Sequence, residues 1–195
     1  NPSNRFWNLL RGSLSPLSWR GILPADALIA EQNHLPIVYG VGLTSIGLEP
    51  GNDAASYGKE TMTRWRHDFF QRLRRHAQQV CRNDHGQEPT DPATPCPLPH
   101  GPMLIAFSGK RQFSHLFTPP LAKVDHYGRQ TRLPQGWPRE CLDGCEVWVL
   151  PSSSGRAAMT TEQRAVPYQQ LAERFHQLPW PLEPTREIKQ EVKTE

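Results

Sequence analysis

Apolar residues fall along this chain in two patterns, a repeat at three- and four-residue steps and short continuous runs. The clearest repeat is Met62, Trp65, Phe69, Leu73, Ala77 and Val80, which predicts a helix over roughly 59–81. Ser3 as an N-cap before Asn4–Leu10 predicts a short helix at the start, and Pro24 at a first helical position before Ala25–Ala30 predicts another. Tyr168, Leu171, Phe175 and Leu178 share one face of a last helix, with Pro167 at its first turn. The continuous runs Ile37–Gly42, Met103–Phe107 and Glu146–Leu150 predict strands, the first of them buried, and Ser108-Gly109 turns the second into a helical Lys110–Phe117. Such alternation predicts an α/β fold of three layers, a short parallel central sheet between helices. Ligands bind such sheets beyond the carboxyl ends of the strands. That rule selects the loop after Gly42, the turn Ser108-Gly109-Lys110, and the loop Pro151–Arg156.

The chain's 195 residues make one domain, expected over 1–180. A Pro-rich connection over 83–102 and a charged, disordered tail over 181–195 complete the expected organisation. A net charge of +3 is too mild for a polybasic arm. No apolar run approaches the roughly 18 residues of a membrane helix, so the expectation is a soluble, intracellular protein without a membrane partner. Of the four cysteines only Cys141 and Cys145 are close in sequence, and His85 and His100 would have to complete a metal site across loops. Reduced thiols, with no metal and no cofactor, are expected instead. Asn1 stands where a natural chain begins with Met, so a fragment or processed chain is expected.

Several residues carry candidate chemistry, each beside a plainer explanation. The long helix has Arg64, Arg66, Arg72, Arg74, Arg75 and Arg82 on its polar side, where a solvated face is commoner than a nucleic-acid contact. The loop Pro151-Ser152-Ser153-Ser154-Gly155-Arg156 combines small residues, which let backbone approach a ligand closely, with an arginine at its tip. It suits phosphate oxygens and base edges, or it is a Ser-rich turn. A hydrolase using Ser152, Ser153 or Ser154 lacks the Gly-x-Ser-x-Gly elbow. In the tail, Ile188-Lys189-Gln190-Glu191 and Val192-Lys193-Thr194-Glu195 both fit the SUMO acceptor pattern, making Lys189 and Lys193 candidates.

Four motifs taken together resemble the mismatch-specific uracil/thymine-DNA glycosylases, over roughly residues 1–178. They are Asn4-Arg5-Phe6-Trp7, Gly40-Val41-Gly42-Leu43-Thr44-Ser45, Ser108-Gly109-Lys110, and Leu150-Pro151-Ser152-Ser153-Ser154-Gly155-Arg156, in the family's order and spacing. The last looks more like the eukaryotic thymine-DNA glycosylase branch. The resemblance implies a uracil-DNA glycosylase-like fold and a monomeric nuclear enzyme of base-excision repair. Such an enzyme releases uracil or thymine mispaired with guanine from double-stranded DNA after flipping the nucleotide out. It implies Phe6 as the stacking ring, Thr44 and Ser45 in the pocket, and Arg156 as the wedge filling the vacated stack. Ser152, Ser153, Ser154, Gly155 and Lys110 would contact DNA; without the resemblance Phe6 reads as core and Lys110 as surface. Ser45 stands where the eukaryotic branch has asparagine, and Leu48-Glu49-Pro50 replaces a Thr-rich segment, which leaves the choice between uracil and thymine open. The family's water-positioning asparagine belongs to an Asn-Pro-Gly strand upstream of the segment matched here. That strand is therefore expected before Asn1, and a chain without it would bind DNA poorly and excise little. The competing expectation is a mismatch-binding or scaffold protein that has lost the asparagine.

Overall fold

In the computed structural model, residues 4–28, 30, 32–49, 56–85, 101–155 and 157–178 are described. The elements are α1 (Phe6–Leu10), β1 (Ser13–Leu14), β2 (Leu17–Ser18), α2 (Leu35–Tyr39), α3 (Lys59–His85), β3 (Leu104–Ser108), α4 (Lys110–Ser114), β4 (Gly128–Gln130), β5 (Glu146–Leu150) and α5 (Thr161–Phe175).

Every side chain of β5 is buried, because this strand lies between two others and between two helical layers. On one face of the sheet Phe107, Val147 and Val149 meet Phe69, Phe70 and Leu73 of α3. On the other, Trp148 and Leu150 meet Leu9 and Leu10 of α1 and Tyr168 and Leu171 of α5. Alternation of side chains along a strand sends neighbours to opposite faces, which is why a continuous apolar run serves here. The fold is thus mixed α/β, but the sheet is not wholly parallel as expected. Its order is β3-β5-β4, with β3 parallel and β4 antiparallel to β5.

The bonds from Glu146 N to Met103 O (2.9 Å) and from Gly109 N to Leu150 O (2.9 Å) fix which backbone groups of β3 face β5. Parallel pairing alternates, so the N–H and C=O groups of Leu104, Ala106 and Ser108 point the other way, along an edge unpaired among the described strands. Ala106 is exposed there.

Three expected elements differ. Ile37–Gly42 is no strand: Leu35–Tyr39 is helical, with proline in its first turn and Gly40 in the left-handed region at φ 65°. Gly40 N–H donates to Pro36 O and Val41 N–H to Leu35 O, closing the helix, and Ile37 stands 81% exposed. Directly after Pro24 the chain makes a turn, closed by Ala27 N–H on Pro24 O, and no α-helix is present there among the described residues. The last helix begins at Thr161 and carries Pro167 inside it, because Thr160 and Gln163 form a reciprocal capping box. At the N-terminus Arg5, not Ser3, is the N-cap of α1.

A buried carboxylate joins three elements. Glu146 accepts from Arg174 Nη2 (2.9 Å) and Trp148 Nε1 (3.3 Å) and lies 3.5 Å from Arg129 Nη1, linking β5 to α5 and β4. Burial alone would raise its pKa; the Arg174 and Trp148 hydrogen bonds and the two guanidinium charges carry it below the ordinary value.

Candidate functional site

Two loops leave the carboxyl ends of adjacent parallel strands, Ser108-Gly109-Lys110 after β3 and Pro151–Ser154 after β5. Gly109 adopts φ 118°, a conformation side chains rarely take, and its N–H closes onto Leu150 O across the strand ends. Tyr168 of α5 lies wholly buried beneath both loops; its hydroxyl donates to Pro151 O (3.2 Å) and stands 3.3 Å from Ser108 Oγ. Burial pushes the Tyr168 phenol up to about 12, so it remains a neutral donor at ordinary pH.

The N-terminal segment reaches the same place. Arg5 N–H donates to Ser153 O (3.0 Å), and Asn4 and Ser154 form an isolated antiparallel bridge. Asn4 Oδ1 accepts from Phe6 N–H (3.0 Å), starting α1. Phe6 is half-buried, edge-on to Trp7 at 6.0 Å between centroids, and packs against the cluster on the α5 side. Three of the four motifs therefore converge: Asn4–Phe6, Ser108-Gly109 and Pro151–Ser154. Ser152, Ser153 and Ser154 are half-buried and Gly155 is exposed, with Ser154 N–H donating to Ser152 Oγ (3.3 Å).

The remaining sites behave differently. Thr44 and Ser45 are exposed in a loop tied to α3, where Arg72 donates to Ser45 O (2.6 Å) and Ile46 O (2.8 Å). No hydrogen bond joins that loop to the converging three among the described residues. Lys110 is turned aside, its Nζ 4.3 Å from the centroid of the Tyr127 ring and 3.5 Å from Asp125 O. Arg156, Lys189 and Lys193 lie outside the described residues, as does the tail. Among the polar-face arginines, Arg72 and Arg74 are half-buried and engaged, Arg74 with Glu140 at 2.6 Å. Cys141 and Cys145 are free thiols, and burial pushes Cys145 up to about 12.

No known family model matches the chain.

One residue of this region was not singled out from the sequence. Arg164, 2% exposed on the first turn of α5, donates through Nη2 to Ser154 O (3.2 Å) and Ala157 O (3.1 Å). Its signal was available, since residues 164, 168 and 171 lie on one helical stripe whose other members are apolar or aromatic. A shallow hollow of about 320 Å³ lies toward the other end of α5, lined by Trp19, Arg20, Gln169, Glu173, His176 and Gln177, and contains none of the predicted residues.

Proposed function

We propose that this chain is a mismatch-specific uracil/thymine-DNA glycosylase of base-excision repair, with a uracil-DNA glycosylase-like fold. The observation that carries the reading is the convergence of Asn4–Phe6, Ser108-Gly109 and Pro151–Ser154, motifs up to 150 positions apart, at the ends of two parallel strands. Hydroxyls and backbone groups dominate the convergence, as phosphate and base-edge contacts require. Phe6 offers a ring beside them for a flipped pyrimidine, a stack worth about 1–3 kcal/mol. Arg156 would fill the vacated position in the duplex, and Lys110 would join the phosphate contacts on leaving Tyr127.

Glycosidic cleavage on this reading proceeds through an oxocarbenium-like sugar as the base departs, with a positioned water attacking. In the family that the motifs resemble, the water-positioning asparagine belongs to an Asn-Pro-Gly strand that precedes the matched segment, and the β3 edge, unpaired among the described strands, would give such a strand a place to pair. A nuclear location and SUMO attachment at Lys189 or Lys193 accompany the reading.

The test is single-turnover release of uracil from a G·U duplex, with A·U as control, on the chain extended by its native upstream residues. Release confined to the mismatch is the expected result, and absence of both release and duplex binding overturns it. A second reading, a mismatch-binding protein without catalysis, draws on one feature: the converging segments contain no carboxylate or imidazole, and Asn4 Oδ1 is engaged by Phe6 N–H. Binding without release is its signature.

A further inference from the structure

Arg164 occupies a position that stability alone does not favour. Its side chain is almost wholly inside, its Nε is buried without a partner, and no carboxylate pairs with it among the described residues. It also stands in the first turn of α5, where the helix dipole disfavours a cation. Burial of an unpaired charge and an orphaned donor are each destabilising. What the guanidinium obtains is a pair of carbonyls, Ser154 O and Ala157 O, on either side of chain positions 155 and 156.

That grip sets the direction of other groups. A trans peptide is planar with its C=O and N–H opposed, so drawing Ser154 O and Ala157 O inward turns the N–H groups of Gly155 and Ala158 outward. Both residues are exposed, and neither N–H has an acceptor among the described residues. Ala157 N–H, by contrast, is spent on Ser154 O at 3.3 Å. We infer that Arg164 is a positioning residue: from beneath the loop it holds two outward backbone N–H groups, at Gly155 and Ala158, as a phosphate-binding edge. Its buried positive charge adds to the attraction for an anion docked above. The ligand class is a phosphodiester of nucleic acid, so this inference rests on the proposed function for its partner, though not for its geometry.

Two measurements separate the two claims. In the first, amide shifts of wild-type protein and the Arg164→Met and Arg164→Lys variants are followed by NMR during titration with inorganic phosphate. Saturable shifts at the Gly155 and Ala158 amides are expected in wild type, lost in Arg164→Met and partly restored in Arg164→Lys, which retains a charged donor. In the second, anisotropy of a labelled G·U duplex reports affinity for the chain extended by its native upstream residues, expected to fall about tenfold or more in Arg164→Met, as for the loss of charge-assisted contacts. Arg164→Met removes a buried unpaired charge, so its thermal midpoint should be held or raised. A purely structural role would instead lower midpoint and affinity together. Phosphate-induced shifts in wild type without duplex binding would overturn the proposed function and leave the positioning role standing. Unchanged amide positions in folded Arg164→Met, or no phosphate-induced shift in wild type, would overturn the role itself.

Discussion

The Tyr168 hydroxyl lies 3.3 Å from Ser108 Oγ, so one buried side chain of α5 joins the loop after β3 to the loop after β5, whose Pro151 carbonyl it also contacts. Removing that oxygen in Tyr168→Phe leaves the ring's packing intact and deprives Pro151 O of a buried donor. A loss of about 1–2 kcal/mol is expected in urea unfolding at pH 7. The raised phenol pKa gives a second, signed expectation. A group whose folded pKa is higher than its unfolded one contributes stability fully below about 10 and loses it as pH rises toward about 12. Wild type should therefore lose its advantage over Tyr168→Phe across that window.

Glu146 titrates in the opposite sense. Its folded pKa lies below the ordinary 4.5, so its contribution is complete above that value and is lost as pH falls through the folded one. With Arg129 and Arg174 partly solvated, Glu146→Gln should cost about 1–2 kcal/mol at pH 7. Denaturant midpoints at pH 7 and pH 3 check this, and the gap between wild type and variant should narrow at the lower pH.

The capping box of α5 satisfies two helix N-terminal donors at once, with Gln163 N–H on Thr160 Oγ1 (3.2 Å) and Thr160 N–H on Gln163 Oε1 (2.9 Å). Thr160→Ala should cost about 1 kcal/mol, read as a lower thermal midpoint. Arg164 sits one turn from this cap, so the same substitution should also broaden the Gly155 amide signal.

Gly47 lies against the indole of Trp65, and a Cβ there would be built into the ring. Because Trp65 is buried, Gly47→Ala should displace the 43–49 loop at a cost of about 1–3 kcal/mol. Tryptophan fluorescence should shift to the red. Unchanged emission together with an unchanged midpoint would contradict the packing described.

How far the fold was legible depended on whether neighbours or the local chain decided each element. The steps from Met62 to Ala77 gave α3 and the run at 146–150 gave β5, because their apolar pattern agrees with burial, whereas the run at 103–107 gave β3 although Phe107 alone of it is fully buried. Ile37, Val38 and Tyr39 misled as a β-branched run, since Pro36 and the left-handed Gly40 close a helix before any strand partner is available. β4 is three residues, Gly128–Gln130, with no alternation; only its pairing with Val147 and Val149 makes it a strand. The start of α5 was legible in Thr160-x-x-Gln163 and was hidden by Pro167, a residue that helix interiors seldom hold. In the site, Ser108-Gly109 and the serine loop stand where the strand rule put them. Lys110 and the Thr44-Ser45 loop do not join them, because Tyr127 and Arg72, both remote in sequence, hold them elsewhere.

A long helix need not open as one body. α3 spans about 40 Å at the usual rise per residue, yet its described buried side chains run only from Met62 to Ala77. Amide protection should then form a gradient along it, with exchange between Phe69 and Leu73 limited by global unfolding and faster exchange toward the exposed first residues, Lys59 and Glu60. Arg72 sits within the slow segment, so the loop that it holds inherits the protection of the core, whereas the exposed first residues report only their own fraying.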